Sequence, residues 1–515
     1  MQVEPEVNFR IEIYSHFFKV VRPVQHFTYI LNEFIRPLIQ YEMDRIPGYK
    51  PQFRPVRTFA TKTANNREFR FHINMFDKFR DFLKAKGIDI KPEQVTIMNI
   101  PKGAPLSHKY FFNKQLRDYQ EEAVSHIFED IPGQRTRLLG MPTGTGKTFT
   151  GLFACSKVGT RVIIFLLPKY IEKWTRDIQE NMNVSPKSIM TVQGSSQLKG
   201  LIDLGKEGTL KADYIIVSIR TMQNFIDLYN ADPEYCKMDY GCIPEEMYDV
   251  LQIGQALIDE THQHIHAVFR IILFMNVQSL LSLSATLISD DPLIKNMHNV
   301  MYPKAVRYDK LLMEKYIEVF AVDYSFKNFG SRGIQTKEFN SNTYSHMAYE
   351  KSLIRRSENL DGYLKMISYL TNSAYIDRKE SGDKLLVFAA SIRLCEMIVN
   401  FLKKQYPSLD IRKFTEGDSY NNILESDIIV STIQSSGTAL DIPNLTTVIN
   451  TLNVMSSPAN LQALGRLRKI PNKQMRFYYT YCTDIPKHQE NNHVRIMLFK
   501  DRVLSIKHLK YPYPL

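Results

Sequence analysis

Residues 141–148 read Met-Pro-Thr-Gly-Thr-Gly-Lys-Thr and lie between an apolar run, RTRLLG, and a helix-like run, FTGLFAC. A strand, a glycine-containing turn and a helix start, in that order, make an anion cradle. Gly144 and Gly146 let the backbone of Thr143 to Thr145 curl so that its N–H groups face phosphate oxygens, and the helix N-terminus adds positive potential. In such a loop Lys147 reaches the β and γ phosphates of ATP, and the Thr148 hydroxyl holds Mg2+. A second set of reactive groups, 112 residues on, closes the run QALIDETH. There Asp259 is placed to hold the metal through water, and Glu260 to polarise the attacking water. Together these groups predict hydrolysis as well as binding. His262, His264 and His266 alternate without a recognised ligand spacing, so packing or solvated roles are expected of them rather than a metal cluster.

Elements must carry these groups to one place. From Leu116 to Leu283 the apolar runs RTRLLGM, TRVIIFLLP, DYIIVSI, QALIDE and SLLSLSAT alternate with longer amphipathic stretches, the pattern of a buried parallel sheet with crossover helices. A second series follows at KLLVFAAS, SDIIVST, TTVINTL and RFYYTYC. The fold class predicted is α/β, two tandem parallel-sheet lobes behind a small N-terminal α+β domain. The boundaries expected are 1–105 for the N-terminal domain, 106–305 and 306–485 for the lobes, and 486–515 for a C-terminal tail. The stretch 317–340, with FGSRG at its centre, reads as two extended runs about a turn, which would form a hairpin and, between lobes, a strand-splitting pin.

Several further segments resemble those of superfamily 2 helicases of the DExH type, over about Gln115 to Arg468. The resemblance implies RecA-like lobes and an ATP-driven nucleic-acid motor. Met141 stands where the usual P-loop has its first glycine, a substitution common in this superfamily. Leu116-Arg117-Asp118-Tyr119-Gln120 is similar to the adenine-recognition element, in which Arg117 and Gln120 would meet the nucleotide and the Gln120 amide would pair with adenine. Ser284-Ala285-Thr286 resembles the motif that, with His262, couples nucleotide state to strand separation. Gln462-Ala-Leu-Gly465-Arg466-Leu-Arg468 resembles the helix whose arginines stabilise charge on the γ phosphate. The second arginine stands one residue early, at 468, with Lys469 in the family position. Gly437 and Asp441 resemble the second lobe's nucleotide-coupling motif, with two extra residues between them. The family's strand-contacting positions fall on Pro168, Lys169, Gln193, Gly194, Ser218 and Thr221 in the first lobe, with Trp174 following, and on Ser391 and Thr432 in the second. Main-chain amides and hydroxyls there would touch the sugar-phosphate backbone.

The 515 residues carry a formal charge of +12, and residues 1–114 hold 19 Lys or Arg against 11 Asp or Glu. That concentration points to a polyanion-binding module at the N-terminus. More loosely, this region resembles the DNA-binding domain of the UvsW-type recombination helicases of tailed phages. That likeness implies branched or forked DNA as substrate, with single-stranded DNA-binding or recombination proteins as partners. An RNA helicase, a duplex translocase without strand separation and a nucleotide-gated DNA-binding adaptor are the alternatives. Two readings stand for Arg54, Arg57, Lys62, Arg67 and Arg70 around Phe53, Phe59 and Phe69: phosphate and base contacts, or a solvated face over an aromatic core. The five scattered cysteines form no CxxC pair, which suits a reducing compartment. With no signal-like apolar run at the start and no uncharged stretch of about 18 apolar residues, a soluble cytoplasmic protein is expected, in the host cytoplasm if viral, with no membrane partner.

Overall fold

The computed structural model describes residues 9–44, 52–142, 145–262, 264–284, 291–309, 315–327, 334–338, 343–415, 418–419, 421–433 and 442–515. The chain divides into two compact units, Met1–Leu311 and Leu312–Leu515.

The first unit is built on seven parallel strands, in the order Ile189–Val192, Tyr214–Ser218, Val162–Leu166, Gln255–Ile258, Ser279–Ser284, Thr136–Gly140 and Arg307–Tyr308. The runs VIIFL and YIIVS are buried at every position, because helices cover both faces of the sheet. Thr136–Gly140 and Val162–Leu166 follow each other in sequence but have two strands between them. The connection leaving Thr136–Gly140 therefore runs toward Val162–Leu166 while that leaving its neighbour Ser279–Ser284 runs the opposite way, to Arg307–Tyr308, and the carboxyl ends at such a reversal are where open α/β sheets bind ligands.

The N-terminal region adds a mixed sheet, ordered Ala60–Lys62, Glu68–His72, Phe17–Val21, Arg10–Ile13 and Val95–Ile97, with helices Gln25–Ile35 and Phe76–Ala85. A separate antiparallel pair joins Ile39–Asp44 to Gln52–Thr58. This region shares one continuous core with the first lobe, in which Phe59, Phe69 and Phe71 pack with lobe residues such as Phe269 and Met275. The boundary expected near residue 105 therefore separates two sheets but not two cores.

Charge also crosses that seam. Arg70, 0% exposed, donates to Glu245 Oε1 at 2.6 Å from between the rings of Tyr229 and Phe274, and Lys19 reaches the same oxygen at 3.1 Å. Burial disfavours the charged carboxylate, but Arg70 and Lys19 overcome that and hold Glu245 down to about 2. Arg70 is thus not a phosphate ligand. Of the two N-terminal readings, the aromatic core holds for Phe59, Phe69 and Arg70, because both faces of the strand Glu68–His72 are covered and Phe59 packs on Phe269.

The second unit also has seven parallel strands: Ile411–Phe414, Ile428–Ser431, Lys384–Phe388, Leu445–Asn450, Met475–Cys482, Ile317–Tyr324 and Ser505–Lys510. Two sequence expectations change here. Ile317–Tyr324 is an inner strand paired along its length on both sides, not a hairpin limb, because nearly all of IEVFAVDY is buried. An isolated antiparallel bridge joins Lys337 to Tyr344, and the FGSRG centre lies outside the described residues. Residues 486–515, expected as a tail, supply the helix Pro486–Phe499 and the strand Ser505–Lys510, which closes the sheet beside Ile317–Tyr324. The helix buries His488, Arg495 and Phe499, so it belongs to the second core. Among the described residues no helix is long and apolar enough to cross a membrane.

Candidate active site

The strand Thr136–Gly140 delivers the chain into the loop before the helix Lys147–Val158. Gly146 caps that helix at φ +82°, a left-handed conformation that glycine takes without strain. A Cβ there would stand 2.4 Å from Gln120 Nε2. Two of the predicted cradle residues, Thr143 and Gly144, lie outside the described residues, while Thr145, Gly146, Lys147 and Thr148 are in place at the helix start.

Lys147 is buried, and its Nζ donates to Glu260 Oε1 at 2.7 Å while lying 3.1 Å from Asp259 Oδ1. Burial works against the ammonium, but the two carboxylates more than offset it and raise the pKa of Lys147. It therefore stays charged at any physiological pH. Residues 112 positions apart meet because Gln255–Ile258 and Thr136–Gly140 flank the strand Ser279–Ser284 and end on the same sheet edge.

Asp259 is held on both oxygens: Oδ1 accepts the Glu260 N–H at 2.8 Å, and Oδ2 accepts the Trp174 indole N–H at 3.0 Å. Trp174 is the only tryptophan of the chain and is 1% exposed. Sequence position placed it with the strand-contacting segment; its side chain instead steadies the Asp259 carboxylate. Removing that donor while keeping an aromatic ring, Trp174→Phe, should weaken activation by Mg2+ and lower turnover roughly 10- to 100-fold, the range for partners that orient a metal-binding group. A magnesium titration of ATPase rate checks this, and an unchanged half-saturation and rate would mean that the indole only fills space.

Glu260 sits at φ +51°, rare for a residue with a side chain, and its buried Oε2 makes no hydrogen bond. That oxygen lies 3.4 Å from His262 Nδ1, which is itself 3.0 Å from the Ser284 hydroxyl. Burial first, and then the Lys147 charge, push the His262 imidazole down to about 3, so it is neutral at physiological pH. The predicted link between His262 and Ser284 is thus a direct contact; Ala285 and Thr286 lie outside the described residues. The other two histidines diverge: His264 precedes the helix Ile265–Ile272, and His266 Nε2 accepts the Thr58 N–H at 3.3 Å.

Gln120 is buried with both ends of its amide engaged. Oε1 accepts the Arg117 N–H at 2.9 Å, and Nε2 donates to the Thr145 carbonyl at 2.9 Å, which the Tyr119 hydroxyl also reaches at 3.1 Å. The residue expected to read adenine thus ties the loop at Thr145 to the start of the helix Asp118–Ile127. Arg117 lies beside it, with Nη1 donating to Tyr119 at 3.0 Å.

All six first-lobe residues expected to touch a nucleic-acid strand gather at carboxyl ends of the sheet, but they present different groups. Lys169 and Gln193 are exposed, and Pro168 opens the helix Pro168–Asn181. Ser218 and Thr221 are 2% and 3% exposed; the Thr221 hydroxyl accepts the Gly194 N–H at 2.7 Å, and Ser218 caps the helix Ile219–Ala231. Those two hydroxyls shape the edge and do not offer themselves to a strand.

In the second unit Ser391 is likewise committed. Its N–H and hydroxyl donate to Glu350 Oε2 at 2.8 and 2.7 Å, and Ala390 N–H donates to Oε1 at 2.7 Å. Fully buried Glu350 thus occupies the helix N-terminus where a phosphate was expected, a carboxylate satisfying the same donors. Thr432 is buried just past the strand Ile428–Ser431. Gln462 lies on the helix Ser457–Leu464, which ends at Gly465, so Arg466, buried, and Arg468, half-buried, follow the helix rather than ride on it. Gly437 and Asp441 lie outside the described residues.

Glu260 Oε2, buried and unbonded, the Gly146 cradle and the charged Lys147 fit a magnesium-triphosphate: anion donors stand on one side, hard oxygen acceptors on the other. With two all-parallel lobes, the site defines a superfamily 2 helicase ATPase, an enzyme class whose motors act on nucleic acid. The family described as Type III restriction enzyme, res subunit, matches residues 113–289. The chain is related to the transcript termination protein A18 of Yaba-like disease virus, 25% identical over 403 residues covering 72% of this chain and 75% of that protein. It is also related to the XPB helicase/translocase subunit of general transcription and DNA repair factor IIH from Schizosaccharomyces pombe, 22% identical over 375 residues, 68% of this chain but only 41% of that protein. Among solved structures it is similar to the Hef helicase domain of Pyrococcus furiosus at 14% identity and TM-score 0.42, covering 74% of this chain and 98% of that one.

Proposed function

We propose that this chain hydrolyses ATP to move on DNA and remodel branched or forked duplexes, through fork reversal, branch migration and junction unwinding, as UvsW-type recombination helicases do. The observation that carries the ATPase half is the buried Lys147–Asp259–Glu260 cluster at the reversal point of the first sheet. The basic N-terminal region, fused to the first lobe through one core, supports DNA as the track.

In the reaction we envisage, Lys147 exchanges its two carboxylates for β and γ phosphate oxygens. Thr148 and Asp259 are the metal's protein-side anchors, and Trp174 holds Asp259 in position. Magnesium held there would supply positive charge to the phosphate oxygens. Released from Lys147, Glu260 takes the proton of the attacking water, with neutral His262 beside it. Arg466 and Arg468 supply positive charge to the γ phosphate, and Gln120 relays the state of the P-loop to Arg117. Single-stranded DNA-binding or recombination proteins are the partners this reading expects.

The relative named for transcript termination favours a second reading, a duplex translocase that dislodges RNA without separating strands. The deciding experiment is the ATPase rate with no nucleic acid, single-stranded DNA, duplex, a four-way junction and RNA. The proposal expects the junction to stimulate most. Equal stimulation by plain duplex, without strand displacement, would favour the translocase; strongest stimulation by RNA, or none by any, would overturn both.

A further inference from the structure

Where the helix Gln25–Ile35 and the antiparallel pair Ile39–Asp44 and Gln52–Thr58 meet the first lobe, they leave a cavity of about 680 Å³. Its charged lining, among the described residues, is cationic only: Arg36, Arg57 and Lys62 from the N-terminal side, and Arg270 from the lobe helix Ile265–Ile272. Carboxylates outside the lining steady two of these, Asp291 at 2.5 Å from Arg57 and Asp227 bonded to Arg270. Each guanidinium has five N–H donors, so one ion pair leaves donors for a second anion. The Tyr41 ring, 47% exposed, lines the same space.

Two further groups point to an occupant. Thr61 lines the cavity at 7% exposure, and its hydroxyl makes no hydrogen bond; the buried Asn230 Oδ1, also in the lining, makes none either. Buried polar atoms are normally paired, and an unpaired one is costly to keep. A donor-acceptor hydroxyl and an amide beside four cations and a tyrosine ring ask for a ligand with anionic oxygens, a polar edge and a flat face.

We propose that this cavity binds single-stranded nucleic acid. Phosphodiester oxygens lie on Arg36, Arg57, Lys62 and Arg270, a base stacks on Tyr41, and polar base or sugar atoms meet Thr61 and Asn230. The volume lies within the roughly 300–1,000 Å³ of small-ligand pockets, so it admits a nucleotide of a strand and not a duplex. The inference rests on the nucleic-acid reading above and adds a contact through residues other than the strand-end positions named there. A free mononucleotide shares this chemistry, and the test separates the two.

The measurement is fluorescence anisotropy of labelled oligothymidylate on the full chain across a salt series, with the nucleic-acid-free ATPase rate as control. The double variant Arg36→Gln/Lys62→Gln leaves the ion pairs of Arg57 and Arg270 intact. It should bind the strand at least about tenfold more weakly and flatten the logarithmic salt slope by about 1.4, since each phosphate contact on a single strand contributes about 0.7. Tyr41→Ala, at an exposed ring, should cost roughly 5- to 100-fold in affinity with the control rate unchanged. Thr61→Val should weaken strand binding without lowering the melting temperature. Affinity and salt slope equal to wild type in the double variant and in Tyr41→Ala overturn the proposal, as does displacement of the strand by thymidine monophosphate. If no nucleic acid binds the wild type or stimulates its ATPase, the motor reading fails as well; if it does both and the variants match it, only this site fails.

Discussion

Glu260→Gln should abolish turnover while sparing nucleotide binding. The substitution preserves shape and removes the proton acceptor, so single-turnover ATP hydrolysis is expected to fall by about 10²- to 10⁴-fold, the usual worth of a positioned general base. Lys147 keeps Asp259 as a partner at 3.1 Å, and Trp174 still holds the far oxygen of Asp259, so the cradle should survive. Nucleotide affinity, read by equilibrium titration, should stay within severalfold of wild type. Both measurements are needed. A rate loss with equal loss of binding would mean that Glu260 serves chiefly as the counter-charge of Lys147, and an unchanged rate would remove it from the chemistry.

The second large effect concerns stability. Glu245 and Arg70 are both inaccessible, so removing either leaves a charge that burial penalises and water cannot reach. Glu245→Gln is expected to cost about 3–5 kcal/mol, typical of breaking a buried pair from one side. For a unit of this size that corresponds to a melting temperature lower by on the order of 10 °C. The effect depends on pH, and its sign follows from the carboxylate. Its folded pKa is depressed from 4.5 to about 2, so the stabilisation is fully present above pH 4.5 and is lost as pH falls through about 2. The gap between wild type and Glu245→Gln should therefore be widest above pH 4.5 and close on acidification, which thermal melts across that range would reveal. A constant gap would mean that packing, not charge, joins the N-terminal region to the lobe.

The cluster of Lys147, Asp259 and Glu260 is legible in the sequence, because the pattern that marks it is local. Gly146, Lys147 and Thr148 are contiguous, Asp259 and Glu260 are adjacent, and each set closes a run apolar enough to be a buried strand. The same holds for the alternating strands and helices that make two parallel sheets. Other features depend on partners far away in sequence. Trp174 reaches Asp259 across 85 residues, Arg70 reaches Glu245 across 175, and Ser391 is occupied by Glu350 from 41 residues upstream. Nothing about a lone tryptophan, arginine or serine announces such a partner. Ile317–Tyr324 is legible as a strand but not as an inner one, for a related reason: apolar alternation marks an extended segment but not its neighbours, which here come from the last 41 residues of the chain.

By itself, then, the amino-acid order determined the two-sheet class, the phosphate loop and the acidic pair, since period, glycine placement and charge act over a few residues. Only the tertiary structure decided which oxygen of Asp259 is held and by what. It likewise decided that Gln120 ties down the P-loop, that Arg70 is sealed in a core shared with the lobe, and that a cationic cavity remains where the two meet. Those outcomes rest on desolvation and packing between distant segments, and burial becomes a property of a side chain only once the chain has closed around it.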